Sequence, residues 1–229
     1  MDWSWVSTYF PELVSGLILT LELLLLSVFF GILLAVPIGL VQVTGPWYLA
    51  MPARAFCTVI RGTPLLIQVW LLYYGLGSLF PSIPWIRHSF MWPVLREGFF
   101  YAVLAFTLSF AGYEGEVVRG ALTGVPRGEI EAGRAFGMTP FQVVRRVWLP
   151  RAIRMVLPTL AGETVLQLKS TPLAATITVM DLFGVANMIR QETYRIYEPL
   201  LLVASIYILL TVIITRLFRI VETQIPQRR

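Results

Sequence analysis

The sequence predicts an all-α membrane protein with five transmembrane helices. Of its 229 residues, 57% are hydrophobic and 14% are charged, and the mean hydropathy is +0.74. Soluble proteins carry about 25% charged residues because their surfaces contact water, so this composition indicates a chain surrounded largely by lipid. Five stretches are long and apolar enough to cross a bilayer, which takes about 20 apolar residues per helix. They cover residues 13–43, 55–80, 99–118, 155–180 and 200–218.

Each stretch is predicted to be a helix because hydrocarbon offers the backbone no hydrogen-bond partners. Runs of this length are also too long for the strands of a membrane barrel. The fourth stretch contains Pro172, which lacks an N–H and clashes with the carbonyl group of Leu168. We expect that helix to kink or open near the middle of the membrane. We expect residues 1–229 to form a single transmembrane domain.

The distribution of basic residues between the predicted loops indicates the orientation. Cytoplasmic loops of membrane proteins carry an excess of Lys and Arg. The link between the third and fourth stretches holds seven arginines, whereas the second–third and fourth–fifth links hold two each. The end of the fifth stretch and the tail hold Arg216, Arg219, Arg228 and Arg229. We therefore expect the N-terminus outside the cell and the C-terminus in the cytoplasm.

The sequence lacks the residue patterns of an enzyme. Its only histidine, His88, lies in a predicted outer loop, and neither a GxSxG nor a GxxxxGK[ST] motif is present. The single cysteine, Cys57, excludes an internal disulfide, and no Cys/His cluster suggests a metal site. We predict no catalytic residue, metal or cofactor in this chain. The arginines cluster at the ends of apolar runs, so nucleic acid is not an expected partner despite the net charge of +5.

Polar side chains inside the predicted spans mark candidate functional positions, because an ionised group there costs about 2.5–3.5 kcal/mol on insertion scales. Glu163, Gln167 and Ser170 stand at i, i+4 and i+7 on one helical face, which Thr171 extends. This stripe either bonds to a neighbouring helix or lines a water-filled passage. Interrupted helices are a common way to build such a substrate site. Gln68 in the second stretch also has two interpretations: it either faces the passage or belongs to an aromatic belt at the membrane interface.

The remaining charges in the spans have simpler interpretations. Arg61 can extend to the inner membrane surface, and Glu116 can pair with Arg119 at i, i+3. Lys169, the only lysine, faces away from the polar stripe and pairs either with an acid on another helix or with the end of its own helix. Glu22 has no local partner, so we expect its partner on another chain.

A long loop between the third and fourth stretches, about residues 121–152, is neither apolar nor of low complexity. Apolar residues recur at helical spacing after Pro126, Gly137 ends that helix, and Pro140 allows another to start. We predict a short helix–turn–helix at the inner membrane face, although a solvated connector would have a similar composition. Five helices without a repeat resemble half of a passage, and the chain has no energy source of its own. The energy source would then be external to this chain, and the loop is its natural docking point.

This loop resembles the EAA loop of ATP-binding-cassette importer permeases. That pattern reads E-A-A, three residues, G, nine residues and I-x-L-P, and the spacing here is the same. The departures are Gly133 for the third-position Ala and Val147 for Ile. The matching residues are Glu131, Ala132, Gly133, Gly137, Val147, Leu149 and Pro150.

Other runs resemble the polar amino acid branch of that family and extend the resemblance to essentially the whole chain. The run at 169–173 resembles the branch's K-D-T-S-L, with Ser170 and Pro172 as departures. The runs 87–93 and 162–163 are similar to the M-type permeases for histidine, lysine, arginine and ornithine, and for octopine and nopaline. Two further matching runs are 61–68 and 113–120.

The resemblance implies the MetI-like fold of type I importer permeases in a bacterial inner membrane. It implies three kinds of partner besides lipid: a homologous Q-type permease, two copies of an ATPase subunit that binds ATP and Mg, and a periplasmic solute-binding protein. It implies a substrate that is a basic or polar amino acid or an opine, held by Glu163. The expected companions of Glu163 are Gln167, Ser170, Thr171 and Gln68. The expected ATPase contacts are Glu131, Ala132, Gly133, Arg134, Phe136 and Gly137. The alternative is a structural or sensory subunit that docks the ATPase without carrying a substrate.

Overall fold

The computed structural model describes residues 3–224, and every regular element within that range is helical. The arginines at 228 and 229, used in the orientation argument, lie outside the described residues. The α-helices are α1 (Trp5–Thr8), α2 (Phe10–Thr44), α3 (Trp47–Gly62), α4 (Leu65–Trp70), α5 (Gly77–Leu79), α6 (Pro84–Arg87), α7 (Trp92–Leu95), α8 (Gly98–Gly124), α9 (Arg127–Ala135), α10 (Pro140–Val143), α11 (Leu149–Ser170), α12 (Leu182–Thr193) and α13 (Tyr197–Gln224). Shorter turns of other helical types cover Leu71–Leu76, Phe80–Ser82, Val144–Trp148 and Thr171–Ile177.

Helix α8 occupies the centre of the bundle and packs along α2, with α3, α4 and α11 around it. Small residues allow α2 and α8 to approach closely, as is common between membrane helices. A Cβ atom on Gly31 would lie 2.7 Å from Phe110, and one on Gly39 would lie 2.5 Å from Val118. The main buried cluster joins these helices to the segment after α11. Its members are Leu23, Val69, Tyr101, Ala102, Ala105, Phe106, Ala174, Ile177 and Val179.

Several helices have the length and composition of membrane spans. Within residues 3–224, three stretches meet that description on their own: Phe10–Thr44, Leu65–Ser82 and Tyr197–Gln224. A fourth span is obtained if Pro140–Ile177 and Leu182–Thr193, which meet at an angle of 52°, are counted as one broken crossing. The first, third and fifth predicted stretches are each a single helix, as the sequence indicated.

The second predicted stretch is not one helix, and that part of the prediction was wrong. The chain leaves the helical conformation at Thr63, where φ is −111° and ψ is 138°, and the next helix begins at Leu65. The cause is Pro64, because a residue that precedes proline is disfavoured in the α region. The spanning segment therefore starts at Leu65, and α3 is a separate helix before it.

The fourth predicted stretch opens where Pro172 indicated, and this prediction is confirmed. Helix α11 ends at Ser170, and the chain continues as a 3₁₀ segment from Thr171 to Ile177. Thr178 is in the left-handed conformation with φ of 70°, which turns the chain away from the axis of α11. Asp181 then caps α12, its Oδ1 accepting a hydrogen bond of 2.8 Å from the Gly184 N–H.

Candidate functional site: a polar cavity and an exposed helix–turn–helix

A small polar cavity lies where α11 faces α8 and the break before α4. Its volume is about 200 Å³, and it is open on one side. The break at Thr63 and the polar stripe of α11 bring most of its polar groups together. It is lined by Thr63, Leu65, Ser109, Phe110, Tyr113, Glu163, Leu166, Gln167 and Ser170. We call it the Glu163 cavity.

Glu163 provides the acidic group of this cavity. Its side chain is half-buried, and no residue within 3–224 donates a hydrogen bond to its carboxylate. Arg61 is close enough to interact with it electrostatically. The Arg61 guanidinium lies 5.6 Å from the centre of the Tyr113 ring and 4.0 Å from Oε2 of Glu116. Glu163 thus keeps both carboxylate oxygens available for a ligand.

The other residues of the predicted stripe are engaged with the protein. Gln167 is buried, and its Nε2 donates to Ser27 Oγ at 3.2 Å and to the Phe106 carbonyl at 3.0 Å. The Ser170 hydroxyl donates to the Leu166 carbonyl at 2.9 Å. Both residues line the cavity, but the amide hydrogens of Gln167 stabilise the helix packing. In this structure only the Gln167 oxygen and the accepting lone pairs of Ser170 are left for a ligand.

Thr171 and Gln68 do not line the cavity. Thr171 is fully buried, and its hydroxyl oxygen lies 2.9 Å from the Tyr207 hydroxyl. Each four-residue step along an α-helix rotates about 40° around the axis, so Thr171 has turned from the Glu163 face into the bundle. The Gln68 Nε2 donates to the Ile60 carbonyl at 2.8 Å and to Thr63. Gln68 therefore supports the break between α3 and α4.

Glu114 is a buried acid that the sequence reasoning missed. It is 1% exposed, and neither carboxylate oxygen has a hydrogen-bond partner within the described chain. The rule that singled out Glu163, an acid within a predicted span, applies equally to Glu114. Glu116, two residues further along α8, pairs with Arg119 at 2.8 Å as predicted.

The two isolated charges lie on the surface of the bundle. Glu22 and Lys169 are both exposed, and neither forms an ion pair with another residue in the range 3–224. Lys169 thus points away from the Glu163 cavity, in agreement with its position on the helix. Glu22 has exposed apolar neighbours such as Ile18 and Leu25. Its surroundings therefore leave room for a partner on another chain.

The segment between α8 and α11 forms the predicted helix–turn–helix. Helix α9 ends in a Schellman motif: the Met138 N–H donates to the Gly133 carbonyl at 3.2 Å, and the Gly137 N–H to the Arg134 carbonyl at 2.9 Å. Gly137 has φ of 78°, a conformation that glycine adopts without strain. Thr139 then starts α10 with a reciprocal capping box to Gln142.

Most of the expected ATPase contacts are exposed. Glu131, Ala132, Arg134 and Gly137 lie on the surface, and Phe136 is 86% exposed. Only Gly133 is buried. A Cβ atom there would meet side chains at 3.5–3.6 Å, which is ordinary contact distance, so the alanine of the pattern would fit. A large aromatic ring exposed beside charged side chains is typical of a protein-binding surface.

Two contacts hold this exposed segment against the bundle. Arg151, in the first turn of α11, donates two hydrogen bonds to the Glu129 carboxylate, with Nε at 2.8 Å from Oε2. These bonds lower the pKa of Glu129 below its usual range. The Trp148 indole N–H donates to the Leu122 carbonyl near the end of α8 at 2.7 Å. The first contact ties α9 to α11, and the second ties the segment just before α11 to α8, so the exposed segment is joined to both helices that line the Glu163 cavity.

A bundle of apolar helices, with a polar cavity beside a helix break and an exposed helical elbow at one end, defines a helical membrane permease. Residues 27–226 match the family described as binding-protein-dependent transport system inner membrane component, and the chain belongs to that family. The resemblance inferred from the EAA pattern is therefore confirmed, and the family consists of transport proteins rather than enzymes.

Relatives with similar sequences include two named permeases. The octopine transport system permease protein OccM of Rhizobium radiobacter is 43% identical over 96% of this chain and 89% of its own. The histidine/lysine/arginine/ornithine transport system permease protein HisM of Escherichia coli (strain K12) is 36% identical over 91% of this chain and 86% of its own. A solved structure of an amino acid ABC transporter with histidines matches 98% of this chain and 99% of that one, at 32% identity and a TM-score of 0.82. The MetI-like fold is thus confirmed.

Proposed function

We propose that this chain is the transmembrane permease subunit of an ATP-driven importer for a basic or polar amino acid, such as arginine, histidine, lysine or ornithine, or for an opine. The observation that carries the proposal is the Glu163 carboxylate, which lines a polar cavity and accepts no hydrogen bond within residues 3–224. The named substrates of OccM and HisM include cationic and amine-bearing compounds, which suit such an acid. A hydrogen bond to a charged group is among the stronger polar contacts in proteins.

In this proposal Glu163 binds the ammonium or guanidinium group of the substrate. The Gln167 oxygen and Ser170 provide further polar contacts. Thr171 and Gln68 keep the helix breaks on either side in place rather than contacting the substrate directly. Because α11 opens after Ser170, backbone groups of the 3₁₀ segment are also near the path, as in other transporters with interrupted helices.

The proposed topology has five membrane crossings, with the N-terminus outside and the C-terminus in the cytoplasm. The crossings are α2, the segment from α4 to Ser82, α8, α11 with α12, and α13. Helix α8 carries charged residues but is surrounded by the other helices, which reduces its contact with lipid. We place the whole chain, residues 1–229, in one multi-pass domain of the bacterial inner membrane.

The proposed partners complete the passage and supply its energy. A homologous Q-type permease would pair with the exposed apolar helix faces, and lipid would cover the rest. Two ATPase subunits would bind ATP and Mg, and a periplasmic solute-binding protein would deliver the substrate. The description of the family as a component of binding-protein-dependent systems supports this composition.

Coupling would run from the ATPase to the cavity through α9, within the loop at residues 121–152. The exposed surface formed by Glu131, Ala132, Arg134, Phe136 and Gly137 would contact the ATPase, and the buried Gly133 would hold the turn together. Arg151 fixes α9 to the start of α11, and Glu163 lies twelve residues further along that helix. A movement of α9 can therefore reorient the Glu163 cavity, because α11 transmits it over about 18 Å as a continuous helix.

Replacement of Glu163 by Gln tests the substrate role, because it removes the charge and keeps the size. We expect uptake of a basic substrate into proteoliposomes to fall about 10- to 100-fold, the equivalent of one charged hydrogen bond. The matched control is Glu97→Gln, which makes the same change at an exposed acid next to α8. Unchanged uptake in E163Q would reject the substrate role and favour a structural or sensory subunit.

A further inference from the structure

Glu114 lies in a second cavity that the proposed function does not use. This cavity has a volume of about 210 Å³ and lies between α2, α8 and α11. Apart from Glu114, its walls are apolar side chains such as Ile32, Leu157 and Leu160. The carboxyl group is out of contact with solvent, and no group in the described chain donates a hydrogen bond to either oxygen.

The stability of the bundle does not explain an acid at this position. Buried polar groups in native proteins almost always have a hydrogen-bond partner, and a buried charge without one is strongly unfavourable. An apolar side chain would fill the same space among Ile32, Leu157 and Leu160 without that cost. The presence of Glu114 therefore indicates a partner that the isolated chain does not contain.

The Glu114 cavity and the Glu163 cavity adjoin at the contact between α8 and α11. Phe110, one helical turn before Glu114, lines the Glu163 cavity, and Leu160, three residues before Glu163, lines the Glu114 cavity. The two carboxyl groups are close enough to interact electrostatically. Two acids in a medium of low dielectric constant repel each other, and a cation between them removes that repulsion.

We propose that Glu114 is a second acidic binding residue for the cationic group of the substrate, acting together with Glu163. This inference rests on the proposed function and specifies its substrate class: a guanidinium or ammonium group that can contact two carboxylates. The Glu114 cavity and the Glu163 cavity share no lining residue in this structure. The contact with Glu114 therefore forms at a stage of transport in which α11 has moved relative to α8.

The test uses the complete importer in proteoliposomes with radiolabelled arginine or octopine, whichever the wild-type complex takes up. Glu114→Gln keeps the size of the side chain, and Glu114→Leu makes it apolar. We expect E114Q to lower the uptake efficiency about 10- to 100-fold. We expect E114L to abolish uptake and to raise the thermal unfolding temperature, because it removes an unpaired polar group from an apolar cavity. Glu97→Gln is the control and should change neither quantity.

The outcomes separate this inference from the proposed function. If E163Q lowers uptake and E114Q does not, Glu114 is not a substrate ligand and only this inference fails. If E163Q itself is fully active, the proposed substrate site fails. If E114Q and E114L both lower the unfolding temperature, Glu114 has a structural role and the inference is overturned. When both acids bind one cation, the double variant E114Q/E163Q should lose much less than the product of the two single losses.

Discussion

Replacement of Gly137 by alanine should weaken the turn that joins α9 to α10. Gly137 has φ of 78°, and its N–H and that of Met138 close the Schellman motif at the end of α9. An L-residue in the left-handed conformation costs about 1–2 kcal/mol relative to the right-handed one. This corresponds to a factor of about 5–30 in the population of the native turn. The rest of the bundle makes no contact that would offset the cost, because nothing lies within 4 Å of the added Cβ atom.

The same substitution four residues earlier is the matched control. Gly133→Ala places a Cβ atom 3.5 Å from Val147 and 3.6 Å from Met138, which are ordinary contact distances. Alanine is also a better helix former than glycine by about 0.8–1 kcal/mol. G133A should therefore leave α9 unchanged or stabilise it, although Gly133 belongs to the E-A-A triplet itself.

Two assays on the purified complex report the difference. Hydrogen exchange at the amides of residues 137 and 138 should be about 5- to 30-fold faster in G137A, after correction for the different intrinsic exchange rate of alanine at position 137. In G133A the exchange at these amides should not be faster. ATPase stimulation by the substrate-loaded binding protein should fall in G137A, since a loosened elbow transmits less movement. Gly137→Asn should be milder than G137A because asparagine tolerates the left-handed region. Equal exchange and equal stimulation in G137A and G133A would refute the role given to this turn.

Two further predictions concern the same surface. Phe136→Ala should weaken co-purification of the ATPase at least about tenfold, as expected for an aromatic anchor. It should not change the unfolding temperature, because the ring is already 86% exposed. A lower unfolding temperature would show instead that the ring packs against the permease. Glu129→Gln tests the contact with Arg151, whose hydrogen bonds lower the pKa of Glu129. A carboxyl group with a lowered pKa stabilises the fold above its unfolded value of about 4.3 and loses that contribution as the pH falls through the lowered pKa. The difference in unfolding temperature between wild type and E129Q should therefore be constant from about pH 8 to 5 and vanish well below pH 4, and a difference that persisted there would contradict the assignment.

The helices were predictable where apolar length alone decides the structure. Helices α2, α8 and α13 follow from hydropathy, and the opening after Ser170 follows from Pro172. The break at Thr63 was missed, although Pro64 causes it by disfavouring the α region for the residue before it. The apolar run continues on both sides of Pro64, so a hydropathy reading joins α3 and α4 into one segment. Local backbone sterics determine that boundary, and an average of residue hydropathies contains no information about them.

The candidate site was predictable in part, for reasons of helix geometry. Glu163, Gln167 and Ser170 reach one cavity because they share a helical face. Thr171 does not, because the rotation per residue carries it inward to Tyr207. The helical pattern also could not show which neighbour each polar group would find. Only the packing of α2 and α8 against α11 reveals that Gln167 bonds across the bundle and that no residue within 3–224 forms a hydrogen bond with the Glu114 carboxyl group.

The elbow formed by α9 and α10 faces the cytoplasm in this account, and site-directed labelling tests that claim most directly. The native Cys57 is 1% exposed and gives a low background. Ala132→Cys places a thiol on exposed α9, and Phe90→Cys places one at a position that is 92% exposed in the proposed outer loop. A membrane-impermeant maleimide should label A132C only in inside-out vesicles and F90C only in right-side-out vesicles. Labelling of A132C in right-side-out vesicles would contradict both the topology and the docking of an ATPase at this surface.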